Sequence, residues 1–280
     1  MSRTRLCVAL VLWMLMAVDC GQPPTQHAPV LLRLSGSTSM QGLLHDLAAA
    51  YSERHRHVAF ELTAVGSKAG IETVLRGDAD LALISRELEQ QEEHDVATGE
   101  RRLAYTVVAW DGIAVVVNES NPVRELTLYQ LRNVFEGQIT NWEELGHAAQ
   151  GIIVVSREDG SGSRATFEEL VMRGRRVTPT AVVMPSSDAV RDYVAAHKGT
   201  IGYLSLGCVG PSVAVLAVDN VRPERQTVEQ AAYLITRPFL LASLAAPEPE
   251  AAKFMQFVRS LSGQRIVRRT HAGARSGSPR

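Results

Sequence analysis

Three loops rich in glycine and hydroxyl residues follow predicted strands and precede predicted helices. The first is Ser35-Gly36-Ser37-Thr38-Ser39. The free backbone N–H groups and the dipole at a helix start favour negative charge there, and Ser37, Thr38 and Ser39 add hydroxyl donors. The alternative is an ordinary N-cap that holds no ligand. Taken alone, this loop leaves both interpretations open.

The second loop is Arg157-Glu158-Asp159-Gly160-Ser161-Gly162-Ser163-Arg164, directly after a predicted strand. Its glycines allow close approach of the backbone to a ligand, and its serines offer donors. Arg157 can present a planar fork to two oxygens of a tetrahedral anion, with Asp159 holding that fork in position. A surface loop with an exposed ion pair is the alternative, but it gives no reason for an arginine directly before the glycines and serines. The pattern therefore favours an anion site.

The third loop is Val65-Gly66-Ser67-Lys68-Ala69-Gly70-Ile71, with Ser85-Arg86 downstream. Gly66 and Ser67 can add donors to the same site, whereas Lys68 is long and is equally well explained as a solvated charge.

Apolar runs alternate with amphipathic stretches along the rest of the chain. The predicted strands are residues 30–34, 58–65, 81–84, 113–117, 152–155, 182–184, 201–204 and 213–218. The predicted helices begin near residues 43, 71, 128, 165, 190 and 251, and Thr127 can cap the third of them. Such alternation predicts an α/β fold with mainly parallel sheets covered by helices.

Composition limits the function. The chain has 280 residues, is 45% hydrophobic and carries a formal net charge of -1, which suits two α/β lobes. Only 5% of its residues are aromatic, so nothing indicates nucleic-acid binding.

The N-terminal segment predicts export. Arg3 and Arg5 precede an apolar run over residues 6–18, which is short for a membrane span but suits a secretory signal. The following Ala17-Val18-Asp19-Cys20-Gly21 resembles a bacterial lipoprotein signal, in which Cys20 is acylated. Asp19 departs from the small residue usual at that place, so a plain signal peptide is the alternative. The lipoprotein interpretation makes residues 1–20 the signal peptide and residues 21–29 a tether on the outer face of the cell membrane or in the periplasm.

The cysteines agree with this interpretation. With Cys7 in the leader and Cys20 lipidated, Cys208 is left without a disulfide partner. A Cys20–Cys208 bridge is the competing prediction.

Several segments together resemble the phosphate-binding proteins of bacterial ABC transporters. They occur in that family's order from about residue 30 to about residue 267. The matching segments are Gly36-Ser37-Thr38-Ser39, Gly66-Ser67, Asp78-Ala79-Asp80, Ser85-Arg86-Glu87-Leu88, Asp111-Gly112-Ile113, residues 131–142, Arg157 with Asp159-Gly160-Ser161-Gly162-Ser163-Arg164, Ile201-Gly202-Tyr203, and Phe257 with Gly263-Gln264.

The resemblance implies a two-lobed periplasmic-binding-protein fold of type II, with two mainly parallel sheets and two hinge crossings. The expected first lobe comprises residues 30–110 and 206–270, the second comprises residues 111–205, and a disordered tail comprises residues 271–280. The segment from Asp111 is expected to form the first crossing, and Ile201-Gly202-Tyr203 the return.

Carried over position by position, the resemblance implies ligand contacts from both lobes. The expected ligand-binding residues are Ser37, Thr38, Ser39, Ser67, Arg157, Ser161, Gly162 and Ser163. Asp159 is expected to support Arg157. No metal or cofactor is implied.

In some relatives an aspartate accepts a phosphate proton and thereby excludes sulfate. Where we would place that aspartate, this chain has Arg86, a supporting residue, after Ser85. Asp111 is then the candidate proton acceptor, with Glu87 as the alternative.

The resemblance implies phosphate capture, delivery to a permease and ATPase complex, a monomer, and membrane association through lipid alone. A binder of sulfate or molybdate and a non-transport phosphate sensor are the alternatives. Catalysis is not expected, because Gly160-Ser161-Gly162-Ser163 lacks the nucleophile-elbow pattern and no His-Glu-x-x-His spacing occurs.

Overall fold

The computed structural model describes residues 28–89, residue 92 and residues 103–274. The predicted signal peptide, Cys20 and most of the tether lie outside these residues and stay predictions. Within the described residues, no helix is long and apolar enough to cross a bilayer.

Three parallel strands and two helices begin the fold. Strand β1 (Val30–Gly36) pairs in parallel with β2 (Val58–Ala64) and β3 (Leu81–Ile84). Helices α1 (Gln41–Arg54) and α2 (Ser67–Arg76) connect these strands in turn. The helical spacing predicted for α1 is confirmed, because it buries Leu43, Leu44, Leu47, Ala48 and Tyr51.

The middle of the chain forms the second group of elements. In chain order these are β4 (Leu103–Asn118), β5 (Glu125–Leu126), α3 (Leu128–Glu136), β6 (Ile153–Arg157), α4 (Gly162–Phe167), β7 (Val182–Met184), α5 (Ser187–Ala196), β8 (Thr200–Ser205), β9 (Val213–Val215), β10 (Ala217–Val218) and α6 (Arg225–Glu229). The cap predicted for α3 is confirmed: Thr127 and Gln130 form a reciprocal capping box.

One long strand joins the two groups. Residues 103–112 of β4 pair antiparallel with β11 (Thr236–Leu244), and residues 113–117 pair antiparallel with β8. The resulting sheet runs β2-β1-β3-β11-β4-β8-β6-β7. The predicted α/β architecture is confirmed, with parallel pairs at both ends of a mixed sheet and antiparallel crossing strands between them.

The C-terminal elements return to the first group. They are α7 (Pro249–Arg259), α8 (Leu261–Val267) and β12 (Ala272–Gly273). Phe254 is fully buried, and its ring meets that of Tyr51 edge-on at 5.3 Å. The expected loose tail from His271 onward is wrong for residues 271–274, because β12 pairs with β4 and His271 is buried.

The hydrophobic clusters indicate where the lobes divide. One cluster includes Leu34, Leu81 and Phe254, and another includes Phe135 and Phe167. The second cluster also holds Leu216, Val218, Val228, Tyr233 and Ile235. Residues 213–235 therefore pack with the second lobe, which argues against the expected return at residues 201–203. We infer a return at β11, and the exact lobe boundaries stay a prediction.

Candidate anion-binding site

Helix starts from both lobes meet at one cluster of serine hydroxyls. Ser39 lies in the short 3₁₀ turn that leads into α1, Ser163 in the first turn of α4, and Ser187 at the start of α5. The Ser39 Oγ atom lies 3.1 Å from Ser163 Oγ and 3.3 Å from Ser187 Oγ. All three serines are buried. The predicted convergence of helix starts from separate lobes is therefore present in the geometry.

The first lobe adds a second set of hydroxyls. Ser37 Oγ donates to Ser85 Oγ at 2.7 Å, and the Ser85 backbone N–H donates to Ser67 Oγ at 3.1 Å. Gly162 lies against this pair: a Cβ atom at Gly162 would lie 2.4 Å from Ser85 Oγ and 2.6 Å from Ser67 Oγ. Only a glycine allows α4 to approach so closely.

Arg157, at the end of β6, reaches across the cleft although only 1% of it is exposed. Its Nε and Nη2 atoms each donate to the Glu158 carboxylate at 2.8 Å. The Nη2 atom also donates to Thr38 Oγ1 of the first lobe at 3.1 Å. Among the described residues, its Nη1 atom is buried without a hydrogen-bond partner. This guanidinium therefore has one donor group left over for an anion.

A second buried arginine lies beneath the serines. Arg237 of β11 is held by the Asp111 Oδ2 atom, at 3.0 Å from Nε and 2.8 Å from Nη2. Burial lowers the pKa of Arg237, the nearby Arg157 lowers it further, and Asp111 opposes both effects. Each of the two arginines is paired with a carboxylate, Glu158 or Asp111, and an added anion would relieve the repulsion between the arginines that these pairs leave.

Tyr203 supports the base of the second lobe. Its ring stacks on Phe167 at 4.0 Å between centroids, and its Oη atom lies 2.9 Å from Ser156 Oγ. Burial raises the pKa of Tyr203 to about 12, so the phenol stays neutral near pH 7. Tyr203 Oη also accepts from the Arg157 N–H at 3.3 Å, which fixes the backbone of the arginine.

Three predicted residues have partners of their own in the structure. Asp159 is exposed and pairs with Arg164 at 2.7 Å, so the expectation that it supports Arg157 is wrong, and Glu158 does so instead. Ser161 caps α4 by accepting from the Arg164 N–H, and its contact with a ligand stays a prediction. Arg86 forms two hydrogen bonds with Glu92 at 2.7 Å. Arg86, Asp159 and Ser161 line a separate cavity of about 210 Å³ that also includes Lys68.

Four residues of the cluster were absent from the predicted set: Ser85, Glu158, Ser187 and Arg237. Ser187 follows a strand and begins a helix, the same signal that identified the other loops. Arg237 has a weaker signal, a lone charge in the otherwise uncharged strand Thr236–Leu244. Ser85 lies in a matching segment and Glu158 in the second loop, but nothing in the sequence shows where their side chains point.

Metal chemistry has no support in the part of the chain that the structure describes, because no group of three or more His, Cys, Asp or Glu residues there could hold an ion.

Comparison with known proteins identifies the family. Residues 23–260 match the family described as a PBP superfamily domain. A solved phosphate ABC transporter substrate-binding protein from Clostridium perfringens, with bound phosphate, is 33% identical, with a TM-score of 0.83. The match covers 88% of this chain and 100% of that one. The chain belongs to the phosphate-binding proteins of the PBP superfamily.

Other members of the phosphate-binding family support the assignment. An ABC-type phosphate transport receptor from Vibrio cholerae is 33% identical, with a TM-score of 0.71 over 87% of this chain and 100% of that chain. The phosphate-binding protein PstS of Bacillus subtilis is 29% identical over 250 residues, covering 84% of this chain and 82% of its own. The resemblance and the fold predicted from the sequence are confirmed.

Proposed function

We propose that this chain captures inorganic phosphate between its lobes and delivers it to an ABC importer. The observation that carries the proposal is the buried Arg157, whose Nη1 atom has no hydrogen-bond partner among the described residues. Thr38 of the first lobe accepts from the same guanidinium, and its neighbour Ser39 meets Ser163 of the second lobe. An arginine together with several hydroxyl donors suits a tetrahedral oxyanion, which only accepts hydrogen bonds when fully ionised.

The energies are sufficient. Micromolar capture requires about 8 kcal/mol. Hydrogen bonds to a charged group contribute about 1.5–3 kcal/mol each. The contacts proposed for Thr38, Ser39, Ser67, Arg157, Gly162 and Ser163 exceed that requirement before the cost of association is subtracted, which is several kcal/mol. Ser37, predicted as a ligand contact, is left out because its N–H donates to the Leu83 carbonyl and its hydroxyl to Ser85 Oγ. The Ser161 hydroxyl caps α4, and its contact with phosphate is part of the same proposal.

Asp111 is the proposed determinant of phosphate over sulfate. Among the described residues, its buried Oδ1 atom has no hydrogen-bond partner. Asp111 joins the serine cluster through Ser205, whose Oγ donates to Asp111 Oδ2 and whose N–H donates to Ser187 Oγ. A carboxylate accepts the proton that phosphate carries, whereas it would oppose the lone pairs of sulfate. Glu87, the alternative acceptor, is exposed.

The cellular setting belongs to the same proposal. Membership of a family of transport receptors supports a role outside the cytoplasm and a permease and ATPase complex as partner. The acylation of Cys20, a monomeric state and the absence of catalysis are further parts of the proposal. Mass spectrometry of the mature N-terminus tests the first, and phosphatase and esterase assays test the last.

Calorimetry tests the central claim. After unfolding and refolding in phosphate-free buffer, the protein is expected to bind one phosphate per chain and to bind sulfate and molybdate much more weakly.

Arg157→Ala is expected to weaken phosphate binding by about tenfold or more. The exposed Arg175, which pairs with Glu136, provides the control Arg175→Lys. Sulfate bound as tightly as phosphate would refute the phosphate assignment, and undiminished binding by Arg157→Ala would refute the site.

A further inference from the structure

Arg237 occupies an unusual place for a charged residue. It lies in β11, the strand that we infer returns between the lobes, directly opposite Asp111 in the antiparallel register. Both side chains are 0% exposed. A buried ion pair contributes little net stability compared with apolar residues of the same volume. Because the Arg237–Asp111 pair adds little stability and contacts the serine cluster, we look for another role for it.

Asp111 fixes the orientation of the guanidinium. The Nε and Nη2 atoms both donate to Asp111 Oδ2, and the guanidinium carbon lies 5.2 Å from the ring centroid of Phe239. With one edge of the planar group held in this way, the remaining nitrogen, Nη1, points toward the serines.

The Nη1 atom contacts both lobes. It donates to Ser163 Oγ at 2.7 Å in α4, and to the Ser85 carbonyl and Oγ atoms at 3.0 and 3.2 Å after β3. Ser85 belongs to the first lobe and Ser163 to the second. A single nitrogen on the crossing strand therefore links the two sets of hydroxyls that surround the site.

These contacts determine which way the hydroxyl protons point. A serine hydroxyl has one proton and two acceptor lone pairs, whereas a guanidinium only donates. Ser85 Oγ accepts from both Arg237 Nη1 and Ser37 Oγ, so both of its acceptor positions are filled. Its own proton is then left for Ser67 Oγ, at 3.4 Å the longest of its three contacts, or for an anion that offers a shorter one. Ser163 Oγ also accepts from Arg237. Ser163 Oγ also lies 3.1 Å from Ser39 Oγ, where either hydroxyl can be the donor. Donation by Ser39 fills the second acceptor position of Ser163 Oγ and leaves the Ser163 proton for the anion.

We propose that Arg237 is a positioning residue for anion capture: by donating to Ser85 and Ser163, it directs their hydroxyl protons toward the bound anion. This inference rests on the proposed function, since it concerns the same cleft and a phosphate ligand. It assigns to Arg237 an action through the serines rather than a contact with phosphate.

A double-mutant cycle tests this action, with inorganic phosphate as the probe and calorimetry as the readout. Arg237→Lys keeps the positive charge but loses the planar fork, and it is expected to weaken phosphate binding about tenfold. In a Ser163→Ala background the same change is expected to cost about threefold or less, because the hydroxyl that Arg237 orients is already gone. Arg175→Lys provides the control in both backgrounds.

A second variant allows for misfolding. If Arg237→Lys does not fold, Arg237→Gln, whose amide can still donate to Asp111, enters the same cycle with Ser163→Ala. Equal loss in both backgrounds, or no loss in either, would overturn the positioning role of Arg237. Failure of the unmodified protein to bind phosphate would instead overturn the proposed function, so the two failures are distinguishable.

Discussion

At the scale of single residues, the site depends on how closely α4 approaches the end of β3. A Cβ atom at Gly162 would lie 2.4 Å from Ser85 Oγ, 2.6 Å from Ser67 Oγ and 2.8 Å from the Ser85 carbonyl oxygen. The carbonyl belongs to the backbone and cannot rotate away as a side chain can. The contact joins the two lobes, so a methyl group would hold them apart.

We therefore expect Gly162→Ala to weaken phosphate binding by about tenfold or more, since overpacking of this kind costs about 1–3 kcal/mol. Gly42→Ala is the matched control, because a Cβ atom at Gly42 in α1 has no neighbour within 4 Å. Calorimetry and thermal unfolding of both variants measure the effect. Unchanged phosphate affinity in Gly162→Ala would show that the lobes need not approach so closely for capture.

The residue scale also shows why only part of the site could be predicted. The glycine and serine loops were identified because a strand, a turn and a helix start are local features of the sequence. Whether Glu158 or Asp159 holds Arg157 depends on the side-chain directions within one turn, which the sequence does not reveal. Arg237 was missed because its register with Asp111 joins residues 126 positions apart.

At the scale of elements, the order of strands and helices followed from periodicity, whereas the crossing did not. The apolar run at residues 113–117 identified only the C-terminal part of β4, because residues 103–112 mix polar and apolar side chains. Antiparallel pairing with β11 supplies the hydrogen bonds for that part. The pairing of β12 has no sequence signal, since two residues are too few to show a period.

The pairing of β12 with β4 brings the residue before β12, His271, into the hinge region. His271 is 5% exposed, and its ring lies 5.2 Å from that of Phe239. The Nδ1 atom lies 2.8 Å from Thr270 Oγ1, whereas the Nε2 atom is buried with no hydrogen-bond partner among the described residues. Burial lowers the pKa of His271, with Asp111 opposing this effect and Arg237 adding to it. Near pH 7 the His271 imidazole of the folded protein is therefore neutral.

This gives the pH dependence of stability a definite sign. The unfolded chain binds a proton at His271 near pH 6.5, before the folded chain does. The free energy of unfolding is therefore expected to fall as the pH decreases below about 6.5, until the folded pKa is passed, by at most about 1.4 kcal/mol per pH unit. Urea unfolding between pH 5 and 8 measures the slope.

His271→Gln is expected to reduce that slope between pH 5 and 6.5, whereas His45→Gln, on the exposed face of α1, is expected to leave it unchanged. Contributions from Glu92 and Glu250, whose pKa values are also lowered, begin near pH 4.5 and are common to all three proteins. If the slope of His271→Gln equals that of the unmodified protein, the proton is taken up elsewhere.

At the scale of the whole molecule, the contacts between the lobes describe a closed form. Lys68 N–H donates to the Gly160 carbonyl at 3.4 Å, Arg157 reaches Thr38, and Ser39 meets Ser163. These contacts are few and polar, and they surround two arginines that repel each other. Such a closed form gains little stability without a compensating anion.

We therefore expect phosphate to shift the protein from an open to a closed form. Small-angle scattering is expected to show a smaller radius of gyration with phosphate than in phosphate-free buffer, and no change with sulfate. The unfolding free energy is expected to rise by about 2.7 kcal/mol at a phosphate concentration one hundred times the dissociation constant.

Gly162→Ala at saturating phosphate separates binding from closure, because its methyl group keeps α4 away from Ser85. That variant is expected to remain larger than the unmodified protein. Identical scattering with and without phosphate in the unmodified protein would mean that the closed form exists before the anion arrives, and the repulsion between Arg157 and Arg237 would then be too weak to open the cleft.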